Sequence, residues 1–317
     1  MVTVIKAKRK SAVLTPSSLA CLSVVPTINL TAGCLHGCVY CYIRGYRNYP
    51  GEGRIVLYED TLERLRHELR RRHTRPHAVY FSPSSDLFQP AAEALELSHA
   101  ILKFLLDEGI GVAFLTKGHI PDDTVELLVD HAEFVRAQVG IITLDERISQ
   151  AFEPHAASPR RRLQQLAALI AGGVPATARL DPILPTLTDS PDSLNQHFAT
   201  LAQVGVKRVA AGLLFLRPAI RQSLTRSISD REMLAPLLDA YRDKEQAVMR
   251  GTELPIQNVP VEARREIFVR LRNAAEAHGI ELRVCACKNP DLVQGSCDIA
   301  GTWARRPPSA VQLPLMK

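Results

Sequence analysis

The amino-acid sequence predicts an α/β fold: a partial (β/α)6 barrel of the TIM type with a C-terminal metal-binding extension. Short runs rich in β-branched and aromatic residues alternate with amphipathic stretches of helical period along the 317 residues. Such alternation favours right-handed crossovers and therefore a parallel sheet. A chain of this length also buries a core large enough to need no covalent cross-links. A doubly wound open sheet is the structural alternative.

Seven segments have the pattern of buried strands, and seven have the pattern of amphipathic helices. The predicted strands are Val24–Leu30, His77–Phe81, Gly111–Leu115, Phe134–Ile142, Ala176–Leu180, Lys207–Leu213 and Glu281–Val284. The predicted helices are Thr61–His73, Ala91–Glu108, Asp122–His131, Pro159–Ala171, Ser190–Val204, Asp230–Met249 and Val261–His278. Four helices are followed by a glycine, the residue that best tolerates a left-handed cap: Gly109, Gly172, Gly205 and Gly279. We expect residues 1–23 to form an irregular leader packed on the barrel, residues 24–280 the barrel, and residues 281–317 the metal-binding segment and tail.

Composition and charge are those of an ordinary globular protein, with 46% hydrophobic and 23% charged residues. The net charge of +6 tolerates an anionic partner without requiring nucleic acid. No apolar run reaches the ~18 residues that a membrane span needs, and no apolar segment follows the basic start as in a secretory signal. The seven cysteines form two tight groups plus Cys21, which indicates thiolates kept reduced for metal in the cytoplasm.

The first cysteine group directly follows the first predicted strand, as Cys34, Cys38 and Cys41. Thiolates at this density bind iron–sulfur clusters or zinc. A closed structural zinc site needs four ligands, and His36 is awkwardly placed to be the fourth. Three thiolates on a [4Fe–4S] cluster, by contrast, leave one iron open for another ligand.

This cysteine spacing, with the aromatic Tyr40 just before the third thiol, resembles the radical S-adenosylmethionine (SAM) superfamily. The resemblance implies that the open iron is chelated by the amino and carboxylate groups of SAM. It also implies reductive cleavage to a 5′-deoxyadenosyl radical, which abstracts hydrogen from an unreactive C–H bond. A reductant such as ferredoxin or flavodoxin would supply the electron.

Further stretches resemble the spore photoproduct lyase-related branch, often described as DNA repair photolyase-like. They are Ser84-Ser-Asp86-Leu-Phe-Gln89-Pro90, Leu115-Thr-Lys117, Phe152-Glu153-Pro154, Arg160-Arg-Arg162-Leu and Asp181-Pro-Ile-Leu-Pro185. By that resemblance the cofactor is contacted by Tyr40, Ser84, Ser85, Asp86, Lys117, Gln138 and Thr143. The serines are also compatible with a turn and a helix cap, and Lys117 with a solvated side chain. Glu153 and Arg179 would form an ion pair, or one of them would touch substrate.

The chain departs from the lesion-repair enzyme in one respect. That enzyme depends on an additional barrel cysteine as hydrogen donor, and no cysteine occurs here between Cys41 and Cys285. Aromatic residues total only 5%, too few for a typical single-strand binding groove. The basic run from Arg70 to Arg75 has the pattern of a solvated helix end. DNA repair is therefore disfavoured.

The second cysteine group, Cys285, Cys287 and Cys297, follows the last predicted strand. It predicts an auxiliary [4Fe–4S] cluster, with zinc or inert buried thiols as alternatives. Barrel closure would place this group beside the first. The fourth ligand stays open between Cys21, Ser296, Asp298, a small molecule and the substrate, and Cys21 also suits a small core position.

Three functions follow. The first is a radical SAM enzyme, a lyase or a sulfurtransferase, whose auxiliary cluster moves electrons, anchors substrate or supplies sulfide. The last use is that of lipoyl synthase, and the substrate would then be a carrier-bound acyl chain. The second is repair or modification of nucleic acid. The third is a non-enzymatic zinc or iron–sulfur module.

Overall fold

The computed structural model describes residues 2–249, 255–293 and 297–303. Its strands are β1 (Thr3–Ala7), β2 (Thr27–Ile28), β3 (Thr31–Ala32), β4 (Arg54–Tyr58), β5 (Ala78–Phe81), β6 (Gly111–Thr116), β7 (Val135–Gly140), β8 (Ala176–Ile183), β9 (Arg208–Leu213), β10 (Glu245–Val248), β11 (Pro255–Asn258) and β12 (Glu281–Val284). Its α-helices are α1 (Thr61–Arg71), α2 (Ala92–Asp107), α3 (Asp122–Asp130), α4 (Glu146–Phe152), α5 (Pro159–Ala171), α6 (Pro191–Gln203), α7 (Pro218–Ser227), α8 (Arg231–Asp239) and α9 (Val261–Ala277).

The main sheet contains seven strands in the order β12-β9-β8-β7-β6-β5-β2. Every neighbouring pair is parallel, and neighbours in space follow one another in this sheet along the chain. Because the order never reverses, the doubly wound alternative is wrong. The edge strands β2 and β12 do not pair with each other within the described chain. The predicted partial barrel is therefore confirmed, and its sheet has the seven strands that the sequence pattern predicts.

Both faces of the sheet are buried, which explains why its strands read as nearly continuous apolar runs. On one face Val79 and Phe81 of β5 belong to the same buried cluster as Leu102 of α2. On the barrel-facing side Tyr80 packs with Leu22, from the leader. Ala300, near the C-terminal end of the described chain, belongs to that second cluster too.

Several elements differ from the prediction. The leader is not irregular throughout, because β1 pairs in parallel with β4 in a separate three-stranded sheet. The first predicted strand, Val24–Leu30, shrinks to β2 in the main sheet. Gly172 has an ordinary φ of −78°, whereas its neighbour Gly173 takes the left-handed conformation at +79°.

The helix predicted over Asp230–Met249 is wrong in its second half. It ends at Asp239, and β10 follows and pairs antiparallel with β11. Buried Tyr241 donates its hydroxyl hydrogen bond to the Leu214 carbonyl, which fixes the chain in a turn at this point. Helices α4 and α7 were not predicted, although Asp145 caps the first by accepting from Ile148 N at 3.0 Å.

None of the helices in residues 2–249, 255–293 and 297–303 combines the length and the apolar character that a membrane crossing requires.

Candidate active site

The first cysteine group lies on a tight loop that follows β3. The loop enters through Gly33, whose φ is +85°, and turns again at Gly37, whose φ is +67°. A Cβ on Gly33 would lie 2.7 Å from the Arg54 carbonyl oxygen, so only glycine fits there. Cys38 is buried, and Cys34 and Cys41 are partly buried.

Burial dominates the electrostatics of these three thiols. It raises the pKa of Cys34, Cys38 and Cys41 above the ordinary thiol value. The metal-free thiols are therefore protonated at neutral pH. Metal ligation would remove those protons, because the bond to the metal stabilises thiolates that burial disfavours in the metal-free protein.

Arg44 holds the backbone of this loop in shape. Its Nε donates to the Cys38 carbonyl at 3.2 Å, and its Nη2 donates to the Gly37 carbonyl at 2.9 Å. On the other side, Gln89 accepts from Leu35 N through Oε1 at 2.8 Å. These contacts leave the thiols themselves without a role in holding the loop.

His36 and Asp86 tie the loop to the carboxyl ends of β5 and β6. His36 Nε2 lies 3.2 Å from Asp86 Oδ2, and its Nδ1 lies 3.3 Å from the His155 carbonyl oxygen. Asp86 also accepts from Thr116 Oγ1 at 2.8 Å and from Lys117 N at 2.9 Å. Burial opposes ionisation of Asp86, but His36 and the N–H donors outweigh it and lower the pKa of this carboxyl. Both ring nitrogens of His36 are thus occupied, which removes it as a fourth metal ligand.

A buried ion group stands beside Tyr40. Glu153 accepts from the Tyr40 hydroxyl, lies 2.9 Å from Lys117 Nζ and lies 2.6 Å from Arg162 Nη2. Burial opposes the charge, but Lys117 and Arg162 outweigh it and lower the pKa of Glu153 to about 2. Glu153 therefore pairs with these two cations and not with Arg179, which binds Asp181.

The other predicted cofactor contacts fall into separate places. Ser84 donates to Asn29 Oδ1 at 3.0 Å, next to the cysteine loop. The neighbouring Ser85 hydroxyl is buried and has no hydrogen-bond partner among the described residues. Thr143 accepts from Asp145 N at 3.1 Å at the start of α4. The structure thus gathers Tyr40, Ser84, Ser85, Asp86 and Lys117 around the first cysteine loop.

Gln138 lies apart from that group, beside the second cysteine group. Its Oε1 accepts from Arg179 Nη1 at 3.2 Å, and the same Nη1 lies 3.6 Å from Cys297 Sγ. Cys285, Cys287 and Cys297 are buried together, and Cys21 packs against them. As they stand, the described His, Cys, Asp and Glu side chains form no group of three around a single metal-ion position.

A polar path joins the two cysteine groups inside the barrel. Arg179 Nη2 lies 2.9 Å from Asp181 Oδ2, and Lys288 Nζ binds the other oxygen of that carboxylate. Lys117 Nζ donates to the Asp181 carbonyl at 3.1 Å. The positive charges of Lys117 and Lys288 act on Cys41, and that of Arg179 acts on Cys297.

Sequence reasoning missed part of this arrangement. Arg44 and Lys288 were not singled out, although Lys288 directly follows Cys287. Asp181 was noted only as part of a resembling stretch. No local signal marks Arg44, because its two carbonyl acceptors become neighbours only when the loop closes.

The main sheet has seven parallel strands in sequential order, and a loop with three thiols lies at their carboxyl ends. These two features define the class of partial barrels that present a cluster at the barrel mouth. The family profile described as Radical SAM superfamily matches residues 28–198, more than half of the chain. The chain belongs to this superfamily of enzymes, which use a [4Fe–4S] cluster and SAM. The three thiols of the loop fit that cluster, since they are soft donors held close together with no competing role.

Among curated relatives, an uncharacterized protein of Mycobacterium tuberculosis (strain ATCC 25618 / H37Rv) is 30% identical over 221 residues. That match covers 67% of this chain and 65% of the relative, so the chain spans slightly less than two thirds of the mycobacterial protein. A protein named Radical SAM Nalpha-GlyT isomerase, from Pseudomonas phage M6, is 28% identical over 185 residues, 56% of this chain and 38% of the phage protein.

Among solved structures, spore photoproduct lyase complexed with dinucleoside spore photoproduct superposes with a TM-score of 0.64. The match covers 89% of this chain and 81% of the lyase chain, at 18% sequence identity. At that identity the likeness establishes the shared fold.

Proposed function

We propose that Cys34, Cys38 and Cys41 hold a [4Fe–4S] cluster and that the chain uses SAM to abstract hydrogen from an unreactive C–H bond. The observation that carries the proposal is the tight loop itself. It presents three thiols at the carboxyl ends of the strands, and its shape is maintained by Arg44, Gln89 and two left-handed glycines. In a barrel this end of the sheet is where the loops that carry chemistry meet.

When bound, the cluster would supply one electron, taken from a reductant such as ferredoxin or flavodoxin, to the sulfonium of SAM. The C5′–S bond would break to give methionine and a 5′-deoxyadenosyl radical. Transfer of one hydrogen atom from substrate to that radical would give 5′-deoxyadenosine and a substrate radical.

The chain's own residues would bind and orient the cofactor. Ser85 presents a buried hydroxyl with no protein partner in the described ranges, next to Ser84 on the same loop. Lys117 offers a cation whose charge Glu153 only partly offsets, because that carboxylate is shared with Arg162. We propose Ser85 and Lys117 as contacts of the polar groups of SAM. Roles for Tyr40, Ser84, Asp86, Gln138 and Thr143 stay predictions, since each is hydrogen-bonded within the protein.

The second cysteine group supports an auxiliary cluster in the same proposal. Cys285, Cys287 and Cys297 are buried inside the barrel, and Arg179 stands beside Cys297 to balance thiolate charge. The polar path through Asp181 and Lys288 connects this group with the first cysteine loop. An auxiliary cluster so close to the radical site favours electron transfer or sulfur insertion of the lipoyl synthase type.

Nucleic-acid modification is the second candidate. It is favoured by the fold shared with spore photoproduct lyase, whose solved complex contains a dinucleoside spore photoproduct. The missing barrel cysteine between Cys41 and Cys285 speaks against the lyase reaction itself.

The test is an anaerobic incubation of reconstituted protein with dithionite and SAM. Candidate acyl-carrier, peptide and oligonucleotide substrates are supplied in separate arms. Mass spectrometry is expected to show 5′-deoxyadenosine, and a substrate product that has lost hydrogen or gained sulfur in one arm.

Two cubane clusters predict about eight irons per chain. A chain with Cys34, Cys38 and Cys41 all changed to Ala serves as the matched control and should make no 5′-deoxyadenosine. Equal yields from the two proteins would refute the proposal.

A further inference from the structure

Cys21 is partly buried and packs against the apolar cluster on the barrel-facing side of the sheet. It sits in the short helical turn Ala20–Leu22, and the next residue, Leu22, is only 1% exposed. Leu22 packs against Tyr80 and Ala113 on the barrel-facing side of β5 and β6. The core contacts of Leu22 therefore hold the leader where the Cys21 side chain lies next to the loop that follows β12.

Cys21 packs against the second cysteine group. It is a partly buried neighbour of the cluster that contains Cys285, Cys287 and Cys297. Its thiol also interacts electrostatically with those of Cys287 and Cys297. The four cysteines thus converge on one place in the fold.

The other candidates for a fourth ligand are less well placed. The carboxylate of Asp298 is bound by Arg283 and lies 3.8 Å from Arg208, so it is engaged by exposed cations. Ser296 lies outside the described residues. With Cys21, the second cysteine group would have four thiol ligands and would need no other ligand.

The surroundings suit a negatively charged metal centre. Arg179 Nη1 lies 3.6 Å from Cys297 Sγ, and its other two nitrogens bind Asp181. Ala210 and Ile299 pack around the sulfurs and keep water away. Four thiolates give an iron–sulfur cluster a net negative charge, which a buried guanidinium offsets.

We infer that Cys21 is the fourth ligand of the second site, so that Cys21, Cys285, Cys287 and Cys297 together hold an iron–sulfur cluster with no open iron. This inference rests on the auxiliary cluster of the proposed function and narrows its use. A cluster ligated by four thiolates cannot anchor substrate or SAM through an iron. It transfers electrons or yields its sulfide. On binding, four iron–sulfur bonds form and the thiol protons are released.

The test uses the full chain with Cys34, Cys38 and Cys41 changed to Ala, so that the second site alone binds iron. After anaerobic reconstitution with iron and sulfide, this chain should hold about four irons. Its reduced electron paramagnetic resonance spectrum should not respond to added cyanide. Adding Cys21→Ala should weaken iron binding about tenfold or more, and any cluster that remains should respond to cyanide through its newly open iron.

Two variants in the same background control for packing. Leu22→Ala removes neighbouring core contacts but keeps the thiol, and should retain the iron. Cys21→Ser keeps the side-chain size and should behave like Cys21→Ala.

Full iron and an unchanged spectrum in Cys21→Ala would overturn the inference, as would zinc in place of iron. Equal iron loss in Leu22→Ala would show that leader packing, not the thiol, holds the site. Because this background cannot cleave SAM, failure here leaves the proposed radical chemistry standing. Absence of 5′-deoxyadenosine in assays of the wild-type chain would refute the proposed radical chemistry and would leave the assignment of Cys21 standing.

Discussion

The guanidinium of Arg179 reaches the sulfur of Cys297 at 3.6 Å while it binds Asp181 through its other two nitrogens, at 3.1 and 2.9 Å. The side chain is almost fully buried. It therefore carries an uncancelled share of positive charge next to the second cysteine group, since Asp181 is also bound by Lys288. This geometry places a buried cation directly beside the second cysteine group.

Changing Arg179 to Met is expected to lower the reduction potential of the second site. Loss of a buried cation beside a cluster thiolate favours the oxidised, less negative form. The measurement is a redox titration followed by paramagnetic resonance, in the chain whose first three cysteines are Ala. Arg208→Met is the matched control, because Arg208 is partly exposed and pairs with Glu281 and not with a thiol. An unchanged or raised potential in Arg179→Met would contradict the prediction.

Replacing Glu153 by Gln is expected to destabilise the fold by about 3–5 kcal/mol, because it leaves a buried cation unpaired. Arg162 and Glu153 are both fully buried and lie 2.6 Å apart. Chemical denaturation at pH 7 measures the effect. Glu52→Gln is the control, since Glu52 is half exposed and pairs with Arg44 and Arg226. An exposed pair of this kind contributes about 1 kcal/mol or less.

The same pair predicts a pH dependence with a definite sign. The pKa of Glu153 is about 2 in the folded chain, because Lys117 and Arg162 outweigh the effect of burial. An unfolded glutamate titrates near ~4.3. The stabilisation by the carboxylate is therefore complete above about pH 4.3 and disappears as the pH falls toward 2. The difference in unfolding free energy between wild type and Glu153→Gln should shrink across that window, and a difference that stays constant would argue against it.

The periodicity of the sequence was enough to locate the main sheet. Each of the seven predicted strands overlaps a strand of the barrel, because strands buried on both faces leave a continuous apolar run. The separate pairing of β1 with β4 left no such signal, since no residue of β1 and only Ile55 and Leu57 of β4 are buried. The pairing of β10 with β11 was hidden for a similar reason: β10 is not fully buried at any position.

The candidate site likewise has a part that the sequence predicts and a part that only the folded chain determines. Cysteine spacing is a local property, so both cysteine groups were readable. The contacts of Cys21 with Cys287 and Cys297, and of Lys117 with Glu153, join residues far apart in the chain. Only the closed barrel determines those partners. The sequence offered Cys21 as one of several possible ligands and could not choose among them.

His197 provides a second pH-dependent prediction, in α6. Burial lowers its pKa to about 4, and the charge of Arg162 adds to that effect. A histidine that is buried in its neutral form stabilises the fold fully above the unfolded value of ~6.5 and loses that contribution as the pH falls toward 4. At ~1.36 kcal/mol per pKa unit, the loss is about 3 kcal/mol.

The measurement is the unfolding free energy of wild type and His197→Leu between pH 7 and pH 4. The variant should lack this component of the acid destabilisation. His67→Leu, at an exposed position in α1, controls for the loss of an imidazole. Parallel pH curves for wild type and His197→Leu would show that His197 does not titrate in this range.

Arg44 is a positioning residue for the first cysteine loop. Changing it to Met removes the donors to the Cys38 and Gly37 carbonyls and should weaken iron binding at the loop about tenfold. Iron retained during a chelator challenge measures this, with 5′-deoxyadenosine yield as a second readout. Arg226→Met is the control because Arg226 binds the same Glu52 but makes no contact with the loop carbonyls. Equal iron retention in the two variants would mean that the loop keeps its shape without Arg44.

Gly33→Ala tests whether the loop conformation itself is required. At Gly33 the φ is +85°, and an added Cβ would meet both the Arg54 carbonyl oxygen and Pro50 Cγ at 2.7 Å. Gly51 also has a positive φ, +99°, but an added Cβ there would meet nothing within 4 Å. Gly51→Ala should therefore cost only the ~1–2 kcal/mol of a left-handed backbone. Gly33→Ala should cost about 1–3 kcal/mol more through overpacking.

Because the β4 backbone that opposes Gly33 cannot move without disturbing β1 and β3, the cysteine loop has to shift instead. Iron binding by Cys34, Cys38 and Cys41 should fall in Gly33→Ala and stay at the wild-type level in Gly51→Ala, as measured by iron content after reconstitution. Similar stability and similar iron content in the two variants would show that the loop tolerates a side chain at this entry point.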